Sequence, residues 1–398
     1  MNRSFSVLGP CFLFALAGAS FGADCARTSI GQLSLDDLGT GLYLGQFRGG
    51  LYPNGSNEMP EAHLQSGVLR GSTIRPLLTS GQPGQNGKMV LVSIGMSNTS
   101  QEFCGGGANC TSFSFIGQAS ASPLVNHTTL AIVNGAAGGQ TAGLWDSPTD
   151  ANYDRVRDSV LVPRGLSEAQ VQAVWIKVAN SGPTVSLPAA NADAYVLVGQ
   201  MGNVVRAAKV RYPNLRQALL ASRIYAGYAS SALNPEPYAF ESGFAVKWLI
   251  EAQIRQLRGE GVDPIAGDLS LDAAPWLGWG PYLWADGLNA RSDGLTWACN
   301  ELQADGTHPS AAGQEKVGAM LLDFFTHDPV TRRWFRADQG TACSGDFNND
   351  GGTDGADVEE FFRVWERGGF RADVNLDGGI DGADVEVFFA SWEGGGCA

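Results

Sequence analysis

The stretch Met89-Val-Leu-Val-Ser-Ile-Gly95-Met-Ser97-Asn98 joins a run rich in apolar and β-branched residues to a glycine and a serine. Such a run is typical of a strand that is buried on both faces of a sheet. Similar runs recur along the chain and are separated by segments with a helical pattern. The predicted strands are 89–94, 129–133, 171–178, 218–225 and 280–284, and the predicted helices are 151–160, 191–211, 239–258 and 310–326.

This alternation of strands and helices predicts an α/β fold: a three-layer α/β/α sandwich with an open, mostly parallel sheet. In such a fold, ligands bind where the loops gather, at the carboxyl ends of the strands. Four polar loops fall at positions that suit such a site. They are 95–98, 134–141, 177–181 and 305–310.

The first and last of these loops carry the residues of a serine nucleophile and its base. A serine hydroxyl attacks slowly unless a base removes its proton, and histidine titrates in the useful range. Asp305 lies three residues before His308, so its carboxylate can fold back to the ring Nδ1–H.

In their order along residues 35–327, the four loops resemble the SGNH (GDSL-like) family of serine hydrolases. The resemblance implies a flavodoxin-like domain over residues 24–340 and catalysis through an acyl-enzyme without a metal. Ser97 would be the nucleophile, His308 the general base and Asp305 the residue that orients it. The implied oxyanion hole consists of the N–H groups of Ser97 and Gly139 and the side-chain amide of Asn180.

Two positions depart from the family pattern, because Met96 and Ser181 each stand where an aspartate is usual. A second hypothesis therefore remains open, in which the domain is a catalytically silent carbohydrate-binding domain. Ser97 could then be an ordinary turn serine, and His308 a residue at the start of the last helix.

The remaining histidines have no partner pattern and are expected at the surface; they are His63, His127 and His327. Aromatic residues are concentrated before the His308 loop. Packing in the core or at its rim is favoured over a sugar-stacking wall. These residues are Trp276, Trp279, Tyr282, Trp284 and Trp297.

The segment 341–398 contains two copies of a twelve-residue acidic loop, each followed by a short helix. Oxygen-bearing side chains fall at loop positions 1, 3, 5, 9 and 12 and a glycine at position 6, an arrangement that suits Ca²⁺. Two structural calcium ions are therefore expected. The predicted ligands, including the backbone at position 7, are Asp346, Asn348, Asp350, Gly352, Asp354 and Asp357, then Asp373, Asn375, Asp377, Gly379, Asp381 and Asp384.

This duplicated unit resembles the type I dockerin of bacterial extracellular polysaccharide-degrading enzymes. The resemblance implies a small all-α module with a cohesin-like or cell-surface protein partner. Positions 10 and 11 of each loop, which help to recognise the partner in that family, are Gly-Ala in both copies. The apolar stripes of the two helices should pack on each other. They consist of Val358, Phe361, Phe362 and Trp365, and of Val385, Phe388, Phe389 and Trp392.

The net charge of −14 is concentrated in the acidic tail. Residues 343–398 hold 13 Asp and Glu against 3 Arg, a net of −10, so the rest of the chain carries only −4. No basic patch indicates binding to nucleic acid or to an anionic membrane.

The N-terminus predicts a signal peptide over residues 1–23, with Arg3, an apolar run over 5–19 and small residues near Ala23. The apolar run is too short for a transmembrane span. The protein is therefore expected to be secreted, whether extracellular, at the cell surface or periplasmic. The expected activity is an esterase that deacetylates extracellular polysaccharide, a substrate class suggested by the dockerin-like tail alone.

Six cysteines remain after cleavage, an even number that suggests three disulfides in an oxidising compartment. Fifteen pairings are possible. Two are favoured because one would clasp the ends of the tail and the other would close a short glycine-rich loop. The favoured pairs are Cys343–Cys397 and Cys104–Cys110, which leaves Cys25–Cys299.

Overall fold

The structure is a computed structural model that describes residues 22–107, 109–337, 345–348, 352–368, 372, 374 and 380–393. The predicted signal peptide 1–23 falls almost entirely outside these residues. The strands of the described part are β1 (Leu42–Tyr43), β2 (Phe47–Arg48), β3 (Met89–Gly95), β4 (Leu130–Asn134), β5 (Val171–Lys177), β6 (Gln217–Leu220) and β7 (Trp276–Trp279).

Five strands of the described residues form one sheet, in the order β4-β3-β5-β6-β7, and every neighbouring pair is parallel. This confirms the predicted parallel α/β sheet. The short strands β1 and β2 pair separately as an antiparallel ribbon. The connection after β3 leads to β4 on one side of β3, and the next connection leads to β5 on its other side. Where the direction of connection reverses in this way, a crevice is expected at the carboxyl ends of the strands, here between β3 and β5.

The helices pack in two groups. Helix α6 lies against α7, and α8 contacts α3, α4 and α9. The predicted helices 191–211, 239–258 and 310–326 are confirmed as α6, α7 and α8. The helices are α1 (Leu35–Leu38), α2 (Glu61–Ser72), α3 (Ser97–Cys104), α4 (Phe115–Ala121), α5 (Ala151–Arg155), α6 (Asp193–Arg211), α7 (Tyr238–Leu257), α8 (Ala311–His327), α9 (Arg332–Phe335), α10 (Gly355–Trp365) and α11 (Gly382–Glu393).

Three predicted elements differ from the structure. The last strand is β7 rather than 280–284, because Pro281 has no N–H for a ladder. The strand predicted at 218–225 ends at Leu220, and the residues that follow form a buried loop beyond the carboxyl end of β6. The helix predicted at 151–160 is regular only to Arg155 and continues as π and 3₁₀ turns that end at Arg164.

The sheet is the centre of the hydrophobic core. Every residue of β3 and of β5 is buried, as expected for strands covered by helices on both faces. Each large apolar side chain buried in this way contributes about 1.5–3 kcal/mol. The aromatic residues before the His308 loop are at most 5% exposed, which confirms that they pack in the core: Trp276, Trp279, Tyr282, Trp284 and Trp297.

His63 was expected at the surface, and this was wrong, because α2 packs against β7 and buries the ring. Its Nε2 lies 2.8 Å from the Leu277 carbonyl, and the ring stacks on Trp276. Burial lowers the pKa of His63 to about 4. His127 and His327 are exposed, as predicted.

Two of the three expected disulfides lie within the described residues and are formed: Cys104–Cys110 and Cys25–Cys299. The predicted pair Cys343–Cys397 lies outside the described residues. The bridge at Cys25 fixes the N-terminal segment across the loops at the carboxyl edge of the sheet. Ala23 N–H donates to the Ala304 carbonyl at 2.6 Å in the same region.

In the tail, α10 and α11 pack through a small aromatic core, as predicted. Phe361 and Phe388 stack with ring centroids 4.1 Å apart, and Phe347 meets both rings edge-on. Of the twelve predicted calcium ligands, five lie outside the described residues: Asp350, Asp373, Asn375, Asp377 and Gly379. No helix in the described part of the chain is both long and apolar enough to cross a membrane.

Candidate active site

The loop after β3 places Ser97 at the first position of α3, at the carboxyl edge of the sheet. Gly95 is required at the end of the strand, because a Cβ there would lie 2.3 Å from the Lys177 carbonyl oxygen and 2.4 Å from Thr99 Oγ1. The sharp turn thus depends on a close approach between β3 and β5. It leaves the serine side chain partly accessible above the core.

Ser97, His308 and Asp305 form a connected chain of hydrogen bonds. Ser97 Oγ lies 2.7 Å from His308 Nε2, and His308 Nδ1 lies 2.5 Å from Asp305 Oδ2. An ionised carboxylate can only accept, so Nδ1 carries the proton. Nε2 is then left to accept the serine hydroxyl proton, which is the arrangement of a general base.

Asp305 is held by its own turn. Its Oδ1 accepts the N–H groups of Thr307 at 2.9 Å and of His308 at 3.0 Å. Burial works to raise the pKa of Asp305, but these hydrogen bonds and the imidazole contact outweigh it, and the pKa lies below its ordinary value. The carboxylate therefore stays ionised beside the ring. The side chain of His308 is 18% exposed, so a substrate can reach it.

The two backbone N–H groups predicted for the oxyanion hole belong to Ser97 and Gly139. Ser97 opens α3, where the first N–H groups have no partner in the helix and the dipole favours negative charge. Gly139 has φ +75° and open space around its Cβ position. Within the described residues, neither the N–H of Ser97 nor that of Gly139 donates to another group of the chain.

Asn180 lies on the loop after β5, and its amide is turned toward the start of α6. Its Nδ2 donates to the Asp193 carbonyl at 2.8 Å and lies 3.4 Å from Asp193 Oδ1. Asn234, a non-glycine residue with φ +57°, donates to the Asn180 backbone carbonyl at 2.8 Å. In the described structure, the buried Asn180 Oδ1 has no hydrogen-bond partner. The loop is thus fixed from two sides.

A cluster of buried charges below the serine was not predicted from the sequence. Lys177 at the end of β5 pairs with Glu102 of α3, and Arg223 lies fully buried nearby. Burial raises the pKa of Glu102 and lowers the pKa of Lys177, and their mutual attraction opposes both shifts. The sequence signal that could have revealed this cluster is the presence of Lys177 and Arg223 within otherwise apolar segments.

The two departures from the expected family pattern have different surroundings. Met96 is buried, and its sulfur lies 3.9 Å from Arg223 Nη1. Ser181 is exposed at the surface of its loop. Neither residue interrupts the hydrogen bonds that join Ser97, His308 and Asp305.

No family model and no curated protein matches the chain. Solved structures with a similar fold include a Parabacteroides merdae protein provisionally named a GDSL-like lipase (10% identity, TM-score 0.34, 63% of this chain and 97% of that one). A family two carbohydrate esterase from Clostridium thermocellum has 14% identity and a TM-score of 0.32, over 61% of this chain and 65% of its own. An extracellular lipase from Streptomyces rimosus has 16% identity and a TM-score of 0.30, over 59% and 98%. With TM-scores this low, these likenesses carry no argument about function, which must come from the site.

Proposed function

We propose that the chain is a secreted serine esterase of the SGNH type. The observation that carries this proposal is the pair of contacts of His308, which is 2.7 Å from Ser97 Oγ through one ring nitrogen and 2.5 Å from Asp305 through the other. A histidine at the start of a helix needs neither contact for folding. Both contacts are needed to activate a serine.

In the proposed reaction, Ser97 Oγ attacks the ester carbonyl carbon and its proton passes to His308 Nε2. The carbonyl oxygen becomes an oxyanion at the proposed donors, the N–H groups of Ser97 and Gly139. Asn180 is the proposed third donor, and its amide, which donates to Asp193 in this structure, would have to turn to reach the oxyanion. His308 then gives its proton to the leaving alkoxide, which departs and leaves an acyl-enzyme. Water, deprotonated by the same nitrogen, then attacks the acyl carbon, the bond from this carbon to Oγ breaks, and the proton passes from Nε2 to Oγ, which releases the acid and restores Ser97.

For the substrate, we propose an acetylated extracellular polysaccharide. The predicted signal peptide supports export, and the duplicated acidic loops support a module found with polysaccharide-degrading enzymes. A panel of acetylated polysaccharides, scored for released acetate, tests this part of the proposal. Release from no member of the panel, alongside hydrolysis of a small acetate ester, would refute the substrate and retain the chemistry.

For the tail, we propose a dockerin-like module that binds two structural Ca²⁺ ions and a cohesin-like or cell-surface protein partner. The oxygen-bearing side chains of the loops suit a hard cation by type, while no three acidic, histidine or cysteine side chains of the described residues are grouped as a metal site. The position-12 carboxylates Asp357 and Asp384 are fully buried and turned back toward their loops, where they accept the N–H groups of Asp354 and Asp381 at 2.8 and 2.9 Å. Carboxylate oxygens are preferred ligands of Ca²⁺.

Labelling by a fluorophosphonate probe tests the esterase proposal against a silent carbohydrate-binding domain. The probe should add one group to the protein, at Ser97, as located by peptide mass spectrometry. Ser97→Ala should prevent labelling. Ser120→Ala, which removes an exposed serine whose hydroxyl contacts only its own helix, should not. A wild-type protein that stays unlabelled would support the silent domain instead.

A further inference from the structure

Beside the contact between nucleophile and base, the structure has a second link between the same two segments. Asn98, the residue after Ser97, is 1% exposed, and its Nδ2 donates to the Thr307 carbonyl at 2.9 Å. Thr307 is the residue before His308. Ser97 and Asn98 of α3 thus contact His308 and Thr307 of the His308 turn. The Ser97–His308 contact joins the reacting groups, and the Asn98–Thr307 contact is made by a buried amide.

The orientation of the Asn98 amide is fixed by Arg223. The guanidinium, which is 2% exposed, lies with Nη1 3.3 Å from Asn98 Oδ1. A guanidinium only donates hydrogen bonds and the Thr307 carbonyl only accepts them, so the amide has one satisfactory orientation. Arg223 itself is held by the Ser242 hydroxyl, which accepts its backbone N–H at 3.1 Å.

We infer that Asn98, oriented by Arg223, is a positioning residue that keeps His308 in place through both halves of the reaction. The inference rests on the proposed esterase function. The Ser97–His308 hydrogen bond needs a proton on one of its two atoms, and it is lost in the acyl-enzyme, where Oγ is esterified and Nε2 is unprotonated. The Asn98–Thr307 bond does not involve the reacting atoms, so it still holds the base when water must be activated.

Asn98→Asp tests the inference with almost no change in shape. The introduced carboxylate would stay ionised beside Arg223 and would face the Thr307 carbonyl with an acceptor instead of a donor. We expect kcat to fall about 10- to 100-fold, the effect of a displacement of about 1 Å in a reacting group. KM should be unchanged or lower, because substrate binding is retained and deacylation is slowed. Asn98→Ala should act in the same direction.

Gln303→Glu is the matched control. Gln303 also links these segments, because its Nε2 contacts Gln101 of α3 at 3.2 Å and the Pro309 carbonyl at 3.0 Å, but it is exposed. Water can replace its bonds, so kcat should stay within about 2-fold of wild type.

Turnover of a chromogenic acetate ester is measured on the full chain and divided by the concentration of sites titrated with the phosphonate probe. This correction removes any loss of folded protein from the comparison. Should Asn98→Asp fail to fold, Asn98→Ala decides. If the variant that folds has the same kcat per titrated site as the wild-type protein, the inference is wrong. A wild-type enzyme that neither labels nor turns over would instead remove the esterase proposal on which it rests.

Discussion

Lys177 Nζ lies 2.5 Å from Glu102 Oε1, and both side chains are completely shielded from solvent. The pair joins the carboxyl end of β5 to the helix that begins with Ser97. In the same place, Thr99 Oγ1 donates to the Lys177 carbonyl at 2.6 Å. The base of the serine helix is therefore fixed to the sheet by one ionic and one neutral contact.

Removing one member of this pair should destabilise the protein more than removing both. Lys177→Met or Glu102→Leu leaves an uncompensated buried charge and should cost about 3–5 kcal/mol in the free energy of unfolding. The double variant removes both charges of the pair and should recover much of that loss, although Arg223 still loses the attraction of Glu102. Chemical denaturation at pH 7 measures all three. A double variant as unstable as the sum of the single variants would contradict the expectation.

The proposed triad should behave as one unit. Ser97→Ala and His308→Ala should each remove most ester hydrolysis, and the double variant should be little slower than either single variant. The reason is that neither residue activates the reaction without the other. Steady-state kinetics with a small acetate ester provide the measurement, and multiplicative losses in the double variant would argue that the two residues act independently.

Asn180→Ala should lower kcat by about 100- to 1,000-fold with little change in KM, because an oxyanion donor acts mainly in the transition state. Ser181→Ala, which alters an exposed neighbour on the same loop, is the control and should keep wild-type kcat. An effect of Asn180→Ala on KM alone would identify this residue as a substrate-binding group.

His63 should make the protein less stable in acid. Its pKa is about 4 in the folded protein and 6.5 when unfolded, so between these values the unfolded chain binds more protons. The free energy of unfolding should therefore fall as the pH drops from 6.5 to 4, by about 3 kcal/mol for this residue. His63→Gln should lack this part of the fall. Parallel pH dependences of the two proteins, measured by urea denaturation, would count against the assignment.

Calcium removal should affect the tail and leave catalysis unchanged. Without cations, the acidic loops repel one another, so EDTA should make residues 343–398 sensitive to protease. Activity on a small soluble ester should persist, since no proposed catalytic residue is a calcium ligand. Limited proteolysis with mass spectrometry, with and without calcium, tests the first part. An identical cleavage pattern would exclude calcium-coupled ordering, and lost activity would show that the modules depend on each other.

The sequence was informative where the deciding contacts are local. Asp305 and His308 could be paired because they lie three positions apart, and β3 and β5 could be predicted because apolar residues predominate over seven positions of each strand. The strand β7 was misplaced because its four residues are defined by pairing with β6, about 60 positions away.

Contacts between distant segments account for what the sequence did not reveal. Asn98 and Thr307 are 209 positions apart, and nothing near either residue indicates the other. The burial of His63 likewise depends on its packing against Trp276 and Leu277, more than 200 residues later. An amphipathic pattern within one helix does not specify which residues of a distant strand will cover it.

The 211 positions between Ser97 and His308 have a consequence for biosynthesis. A ribosome completes the serine loop long before it makes the turn that carries the base. Until that turn and α8 have been added and packed, Ser97 has no base beside it, and a chain that stops before residue 308 never gains one. Under the proposed function, hydrolytic activity would begin only when the domain is finished.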